Sequence, residues 1–543
     1  MSRLPNLSMI APALASFALT ALGIIAAWWW LGAPVELPPS PLASGQKLYC
    51  VSYAPFRGSQ DPLVEGTRVE AWQIDEDLAL IAKYANCIRT YSVDDGRDDV
   101  LESARRHGLK VLHGVWVSNN PAKTRRQIST SVAFAKTYPD VIAAIVVGNE
   151  VLLRGEMSAT DLISTIREIK AQVSMPVTYA DVWEFWLRYP DVQNAVDFVT
   201  IHILPYWEDF PIPAARAAAH VAAIRSQVAA AIPNKEIVIG EFGWPSAGRM
   251  REGARPSPSN QARAIIETLA LAQRENFRVN IIEAFDQPWK RALEGAVGGY
   301  WGIIDRATGA PKFSLAGGGV SDHPHWLGQA LAGILLSALT FAAAFAAGRR
   351  KALSGSFWAR IAAFALLPAI LFGWTIETVW IESFSVGSWL RSLVFAAIAA
   401  AVPLVCAAAC AAGRPAPSFA SLLGRSGERH DGLDWALGGA LIALMLVSVE
   451  AALGLVFDPR YRDIPFAPLS AAVLPFLLLL FSTPRRRGTP AMAEIAAAAV
   501  LALSAAYIVF NESFANWQSV WFCAGLVVFA FILSWARDAP ATG

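Results

Sequence analysis

The chain has 543 residues, of which 55% are hydrophobic and only 16% are charged, and its mean hydropathy is +0.39. This composition excludes a wholly water-soluble protein of this length, so part of the chain must lie in lipid. The net charge of +1 gives no support to a nucleic-acid partner, and five cysteines are too few for a disulfide framework or a metal cluster.

The N-terminal segment predicts a membrane anchor. Residues 9–31 form an uncharged apolar run of about the length that spans a bilayer, and Trp28, Trp29 and Trp30 close it as an aromatic belt. A cleaved signal peptide would have a shorter apolar region and a small-residue cleavage site, so we expect residues 1–33 to be an uncleaved anchor. A stiff, proline-rich linker follows at residues 34–46, outside the cytoplasm.

From residue 47 to residue 315, strand-like runs alternate with helical ones. The predicted strands are Lys47 to Pro55, Cys87 to Ser92, Lys110 to Val117, Val141 to Glu150, Pro176 to Trp183, Val196 to Tyr206, Glu236 to Trp244 and Val279 to Gln287. The predicted helices are Asp75 to Tyr84, Val100 to His107, Thr124 to Thr137, Ala159 to Gln172, Pro213 to Ala231 and Asn260 to Glu275. About eight strands, most followed by a helix, predict an α/β fold of the (β/α)₈ barrel (TIM barrel) type.

Two glutamates end apolar strands of this pattern. Glu150 closes VIAAIVVGNE and ends the fourth strand, and Glu241 lies in IVIGEFGWPS at the end of the seventh. Active residues of such barrels lie at the carboxyl ends of the strands, and glycosidic bond cleavage needs two carboxylates, a protonated acid and an ionised nucleophile. Ion pairing or helix capping is the alternative role for each glutamate.

Other polar and aromatic residues also fall at predicted strand ends. Aromatic faces stack on pyranose rings and polar groups bond sugar hydroxyls, so this set predicts a sugar-binding cleft, with ordinary barrel packing as the alternative for each aromatic residue. The candidates are Arg89, Tyr91, Trp116, Asp181, Trp183, His202, Tyr206, Trp244, Glu283, Asp286 and Trp289.

The cysteines predict packing more than chemistry. Cys406 and Cys410 are four residues apart on an apolar helix with no histidine nearby. Cys50 and Cys87 lie on predicted neighbouring strands, where two buried thiols are our default expectation and a disulfide in an oxidising compartment is the alternative.

After a short linker at residues 316–325, the chain returns to lipid between residues 326 and 537, with about seven predicted helices. The apolar runs are Trp326 to Ala347, Phe357 to Trp380, Trp389 to Ala412, Leu433 to Phe457, Phe466 to Phe481, Pro490 to Phe510 and Ser519 to Trp535. The loops richest in basic residues contain Arg349, Arg350, Lys351 and Arg360, then Arg414, Arg425 and Arg429, then Arg485 to Arg487, and Arg537 follows the last run. The positive-inside rule places these loops in the cytoplasm, which gives about eight spans with the barrel outside.

Three carboxylates, Glu377, Glu450 and Glu494, lie in or near these runs. A carboxylate inside a membrane is a candidate functional residue. Glu377 and Glu494 are close to a membrane face, so Glu450 is the one whose role, structural or functional, is open.

The motifs VVGNE around Glu150 and GEFGWPS around Glu241 resemble those of glycoside hydrolase family 17, the β-1,3-glucanase and β-1,3-glucan transglycosylase family. The runs IRTYS, GVWVS and ADVW and the pair Pro205, Tyr206 extend the resemblance, which covers about residues 46–312. The layout with membrane segments resembles bacterial members called β-(1→6)-glucan synthases, which are linked to periplasmic β-(1→3),(1→6)-glucans.

The resemblance implies roles for individual residues. Glu150 would be the acid/base and Glu241 the nucleophile, Asn149 would bond the sugar 2-hydroxyl, and Tyr206 would lie near the nucleophile. Where plant members read Phe-Asp-Glu, this chain has Phe285, Asp286 and Gln287, so the role of that third carboxylate cannot be transferred, although Glu283 could fill part of its space.

The expected activity is a retaining double displacement on β-1,3-glucan, without a metal or cofactor, on the periplasmic side of a bacterial inner membrane. The two carboxyl groups should lie about 5 to 5.5 Å apart. Their proximity should raise the pKa of one of them and help keep Glu150 protonated. Water as acceptor would make the protein an endo-glucanase, and a glucan acceptor would make it a transglycosylase that elongates or branches its product.

The expected partners are a β-glucan polysaccharide or oligosaccharide, the lipid bilayer and a membrane glucan synthase, with no nucleic acid. The rival hypothesis is a non-catalytic glucan receptor or transport component. Keeping both Glu150 and Glu241 argues against it, because a binding module needs no matched acid and nucleophile.

Overall fold

A computed structural model describes residues 7–43, 45–94, 98–348, 354–423, 430–484 and 488–538. The chain forms two compact units, one from Val35 to Val320 and one that joins the residues up to Pro34 with those from Ser321 onward. Most of the basic residues used to predict orientation fall outside the described residues: Arg349, Arg350, Lys351, Arg425, Arg429 and Arg485 to Arg487. The predicted orientation of the helices therefore stays a prediction.

The first unit contains a closed barrel of eight parallel strands, which confirms the predicted fold. The strands are β1 (Cys50–Ser52), β2 (Cys87–Arg89), β3 (Lys110–Val115), β4 (Ile142–Asn149), β5 (Val177–Val182), β6 (Val199–His202), β7 (Ile237–Phe242) and β8 (Val279–Ile281). Each pairs with the next in parallel, and β1 closes the ring against β8, with Val51 opposite Ile281. All eight predicted strands are present, with shorter ends.

Helices cover the outside of the barrel, and each of the six predicted ones is present. They are Ala71–Ile81, Asp99–His107, Pro121–Thr137, Ala159–Lys170, Ala217–Ala231 and Pro258–Glu275. Three of these helices start at a side-chain cap, as in the last one, where the Ser257 hydroxyl accepts a hydrogen bond from the backbone N–H of Asn260 and Pro258 supplies the first turn. A six-residue helix, Trp183–Arg188, was not predicted, because it is too short to show a helical period.

The amino end of the barrel is closed by an apolar plug that includes a disulfide. Strands β1 and β2 pair with Val51 opposite Ile88, so the preceding residues Cys50 and Cys87 also face each other, with Cα atoms 4.3 Å apart. They form a disulfide, and the default expectation of two buried thiols is wrong. The other buried members of the plug are Leu112, Ala144, Val146, Ala180, Phe198 and Val238.

The two predicted linkers contact each other. Short strands at Val35–Glu36 and Gly319–Val320 pair antiparallel, with Val35 opposite Val320. The chain therefore enters and leaves the barrel unit at neighbouring points.

The second unit is made of apolar helices. Among the described residues, seven helices are long and apolar enough to cross a membrane: Ala11–Leu31, Trp326–Gly348, Gly355–Glu382, Val386–Ala412, Gly432–Phe457, Met492–Glu512 and Trp517–Ser534. The remaining predicted run forms a shorter apolar helix of 17 residues, Phe466–Ser482. Every apolar run identified in the sequence is thus helical.

The carboxylates of this unit have polar partners. Glu450, half exposed, lies 3.3 Å from the Arg391 Nε and 3.6 Å from an Arg462 nitrogen. Glu377 lies 2.8 Å from the His323 Nδ1, and Glu494 accepts a hydrogen bond of 2.6 Å from the backbone N–H of Phe419. Each of the three carboxylates thus has a polar partner, and the role of Glu450 stays open.

Candidate active site

The fold brings Glu150 and Glu241 together at the carboxyl end of the barrel. Glu150 follows the last residue of β4, and Glu241 is the last but one residue of β7. One oxygen of each carboxylate and one ring nitrogen of His202 lie within 4.8 Å of one another. The two glutamates, 91 positions apart in sequence, therefore face one space, at a separation compatible with the about 5 to 5.5 Å of retaining glycosidases.

Glu241 is held by a buried ion pair. Arg89, whose side chain is 1% exposed, donates to the Glu241 Oε1 at 2.8 Å, and the Tyr91 hydroxyl donates to the same oxygen at 2.9 Å. Burial, followed by the charge of Glu241, raises the pKa of Tyr91 well above its usual range, so Tyr91 stays protonated and donates. Two donors on one carboxylate oxygen fix the direction of the Glu241 side chain.

Arg89 also reaches the acid side of the site. Its Nη2 donates to the Asn149 Oδ1 at 2.5 Å and its Nη1 to the carbonyl oxygen of Gly240 at 2.8 Å. Arg89 therefore connects the ends of β4 and β7 through one planar group. Asn149, expected to bond a sugar hydroxyl, keeps its amide nitrogen available for that contact, since the bond to Arg89 uses its oxygen.

His202 lies between the two glutamates and is fully buried. Its Nδ1 is 2.9 Å from the Glu150 Oε1 and 3.7 Å from the Glu241 Oε2, and its Nε2 is 3.3 Å from the Arg89 Nη1. Because an ionised carboxylate only accepts, the Nδ1 that faces Glu150 carries a proton. His202 then donates to Glu150. The predicted direct contact between His202 and sugar is not available to a fully buried ring.

The environment lowers the pKa of Glu150. Burial acts to raise it, but the hydrogen bond and the charge of His202, followed by the positive charges of Arg154 and Arg89, outweigh burial. The raised pKa expected from the nearby Glu241 is therefore wrong for the protein without substrate, since these donors face Glu150 directly.

The backbone at Glu150 is unusual. Its φ is 54°, in the left-handed region, which costs a residue with a side chain about 1 to 2 kcal/mol. Asp181 supports the turn after it by accepting from the backbone N–H groups of Leu152 and Leu153 at 3.3 and 3.4 Å. Asp181 is fully buried and burial raises its pKa to about 6, so the structure gives it a role in holding this turn instead of the predicted sugar contact.

Beside the nucleophile lies a second buried ion pair. Glu283 accepts from the Lys290 Nζ at 2.9 Å, and burial, opposed by Lys290, raises the pKa of Glu283 to about 7. Gln287, which replaces the third carboxylate of plant members, is buried and donates to the carbonyl oxygen of Ala54 at 3.0 Å. Asp286 pairs with the Lys312 Nζ at 2.8 Å, so the group around Gln287 is held by structural contacts.

The aromatic candidates divide into two groups. Trp116, Trp183 and Trp289 are partly exposed and keep ring surface that a sugar can contact. Tyr206 and Trp244 are fully buried in the barrel core, and each uses its polar atom internally: the Tyr206 hydroxyl donates to the Arg249 carbonyl oxygen and the Trp244 Nε1 to that of Arg255. Full burial leaves neither ring a surface for the predicted sugar contact in this conformation.

Sequence reasoning missed three polar residues of the site. Arg154 packs its guanidinium 4.4 Å from the Trp116 ring, and its position four residues after Glu150 was a signal. Asn280 donates to the Gly240 carbonyl oxygen at 2.7 Å and to the Ser52 hydroxyl at 2.8 Å. Asn280 lies in β8 and Ser52 in β1. A polar residue that faces the barrel interior could have marked each of them as a site residue in the sequence.

Two carboxylates and an imidazole at this spacing can ligate a divalent cation. The guanidinium of Arg89, 2.8 Å from Glu241 and 3.3 Å from the His202 ring, already supplies a positive charge there. That charge disfavours a cation and favours reading the group as an acid, a nucleophile and their supports.

Comparison with known proteins agrees with this geometry. Residues 50–302 match the family model of the BtgE/BtgC glycoside hydrolase domain. A probable β-glucosidase, btgE, of Aspergillus flavus is 29% identical over 273 residues, which are 48% of this chain and 43% of that protein. A glucan 1,3-β-glucosidase of Arthroderma benhamiae is 26% identical over 262 residues, 44% of this chain and 83% of that protein.

Among solved structures, a glycoside hydrolase family 17 β-1,3-glucanosyltransferase from Rhizomucor miehei is similar at 22% identity, with a TM-score of 0.44 over 50% of this chain and 98% of that one. The chain thus spans less than half the length of the btgE relatives it matches. The resemblance predicted from the motifs is confirmed for the barrel.

Proposed function

We propose that the barrel is a retaining enzyme that acts on β-1,3-glucan. The observation that carries the proposal is the meeting of Glu150 and Glu241 within 4.8 Å, in a domain that matches a glycoside hydrolase family. The names of the relatives, glucan 1,3-β-glucosidase and β-1,3-glucanosyltransferase, supply the substrate class.

The reaction proceeds in two steps. The Glu241 carboxylate attacks C1 of a β-glucosyl unit while Glu150 gives its proton to the departing oxygen. In the second step Glu150 takes a proton from the acceptor hydroxyl, whose oxygen displaces Glu241 from C1. Arg89 and Tyr91 hold the Glu241 carboxylate in place, and His202 keeps Glu150 directed at the same space.

Substrate binding favours protonation of Glu150, with the proton taken from solvent. The Glu150 side chain is 22% exposed in the free protein, and a sugar over it removes water from the carboxylate. Loss of that water raises the pKa of Glu150 toward the value required of a general acid.

The experiment is to incubate the full-length protein in detergent with a β-1,3-gluco-oligosaccharide of defined length and to size the products. We expect products with wild type and none with Glu241→Gln. Products longer than the starting material indicate transfer, and only shorter ones indicate an endo-glucanase. An unchanged oligosaccharide with wild type would leave the non-catalytic receptor hypothesis standing.

The finer proposal is remodelling or branching of β-(1→3),(1→6)-glucan on the periplasmic face of a bacterial inner membrane, beside a membrane glucan synthase. It rests on the apolar helices and on the Cys50–Cys87 disulfide, which fits an oxidising compartment. Proton NMR of the transfer product tests it, because a β-1,6 branch gives an anomeric signal that a linear β-1,3 chain lacks.

A transport role for the helices would place Glu450 on the path of the glucan. Its partners Arg391 and Arg462 favour a structural role instead. We expect Glu450→Gln to leave the yield of periplasmic glucan unchanged in producing cells, as with the matched variant Glu377→Gln. A selective loss with Glu450→Gln would favour transport.

A further inference from the structure

We propose that Arg154 is a positioning residue that sets the direction of the Glu150 side chain and fixes Trp116 beside it. The inference rests on the proposed function, in which Glu150 is the acid/base. It assigns a task to a residue that contacts neither of the two reacting carboxylates by a hydrogen bond.

Arg154 donates hydrogen bonds to the peptide groups on both sides of Glu150. Its Nη1 donates to the carbonyl oxygen of Asn149, which belongs to the peptide that precedes Glu150. Its own backbone N–H donates to the carbonyl oxygen of Glu150, 2.9 Å away, in the peptide that follows. Because the planes of these two peptides define φ and ψ of Glu150, one residue stabilises the left-handed conformation at φ 54°.

The same guanidinium reaches the neighbouring strand end. Its Nη2 donates to the Val117 carbonyl oxygen at 3.2 Å, and its Cζ lies 4.4 Å from the centroid of the Trp116 ring. Glu156 holds the guanidinium in place by accepting from Nε at 2.9 Å and is itself bound by the backbone N–H of Asn119. The acid and an aromatic surface for a sugar are thereby fixed by one planar group.

The charge of Arg154 has a separate effect. It is one of the groups that lower the pKa of Glu150. A substitution that removes the charge should therefore raise that pKa, whereas a substitution that keeps the charge but loses the planar fork should not.

The test compares two substrates with leaving groups of different acidity. A β-1,3-gluco-oligosaccharide needs a proton on its leaving oxygen, and a 2,4-dinitrophenyl β-glucoside of the same sugar does not. For Arg154→Met in the full-length protein, we expect kcat/KM to fall about 100-fold on the oligosaccharide and less than about threefold on the aryl glucoside. Equal losses on both substrates, or no loss on either, would overturn the proposal.

The pH profile separates placement from charge. Activity should decrease as pH rises through the pKa of Glu150 in the bound state, because the acid then loses its proton. We expect this alkaline limb to move to higher pH in Arg154→Met and to stay in place in Arg154→Lys, while both lose activity on the oligosaccharide. A limb that moves equally in both variants would contradict the assigned role of the charge.

Two controls keep the outcomes distinct. Arg278 lies before β8 at the amino end of the barrel, contacts Glu236 at 2.8 Å and is expected to tolerate Arg278→Met with unchanged kinetics. Glu150→Gln must show the same dependence on leaving group as Arg154→Met. If Glu150→Gln shows none, the proposed function fails; if it does and Arg154→Met does not, only the present inference fails. If Arg154→Met does not fold, Arg154→Lys replaces it in the comparison of the two substrates.

Discussion

The two ends of the barrel bury very different chemistry. The amino end is filled by apolar side chains around the Cys50–Cys87 disulfide, and the carboxyl end buries Arg89, Glu241 and His202 in hydrogen-bonding contact with one another. Arg89, Glu241 and His202 are as buried as the two cysteines, so the difference does not come from the exposure of these side chains. Burying charge destabilises the folded state, and burying apolar surface stabilises it. The amino end therefore stabilises the fold, and the carboxyl end holds the reactive groups.

This comparison predicts that variants at the two ends differ in what they change. Substitutions of the reacting residues and their hydrogen-bond donors at the carboxyl end should reduce turnover with small effects on unfolding, and substitutions at the amino end should do the reverse.

The largest effect is expected for Glu241→Gln. The amide cannot form the glycosyl ester, so kcat on a β-1,3-gluco-oligosaccharide should fall by about 10⁴-fold, measured by product chromatography. The unfolding temperature should change little, because the amide oxygen still accepts from Arg89 and Tyr91. Turnover within tenfold of wild type would remove the carboxyl end from the reaction.

The next effect is expected for the double variant Cys50→Ala, Cys87→Ala. A cross-link over a sequence separation of 37 residues contributes about 4 kcal/mol, so the unfolding temperature should drop by roughly 8 to 15 °C. At a temperature where both proteins are folded, kcat should match wild type within about twofold. A large kcat loss in the folded variant would show that the two ends are coupled.

A smaller effect concerns Asp181, whose pKa is raised by burial to about 6 from its ordinary 3.8. The folded protein therefore binds a proton more tightly than the unfolded chain, and this contribution to stability is present below about pH 4 and is lost as pH rises to about 6. Thermal unfolding of wild type should lose about 2 to 3 kcal/mol over that window relative to Asp181→Asn. Identical pH dependences would contradict the assignment.

The smallest effect is expected for Tyr91→Phe. Glu241 keeps its bond to Arg89 and loses one neutral donor at 2.9 Å, which is worth about 1 to 2 kcal/mol. We expect kcat to fall about tenfold with KM nearly unchanged. A fall as large as that of Glu241→Gln would mean that Tyr91, and not Arg89, is the main support of the nucleophile.

The sequence sufficed for the architecture because the barrel and the helices are periodic. The apolar runs that end in Glu150 and Glu241 located two of the strands. They also located the pair of glutamates, since the carboxyl ends of parallel strands meet on one face. The directions in which side chains point could not be predicted from the sequence. Tyr206 and Trp244 end their strands much as Trp116 does, yet they point into the core, and that depends on packing between distant elements.

The protonation of the acid was also beyond the sequence. The pKa of Glu150 depends on His202, Arg89 and Arg154, three residues from three separate segments, each within reach only in the folded barrel. The disulfide is similar: its residues are obvious, but their pairing depends on the register between β1 and β2.

The pairing of Val35 with Val320 brings the first and last residues of the barrel unit next to each other, as in an inserted domain. A module of this kind can be gained, exchanged or removed in a single genetic event without rethreading the rest of the polypeptide. A chain that joins Pro34 directly to Ser321 would therefore be a natural reagent for learning what the helices accomplish by themselves.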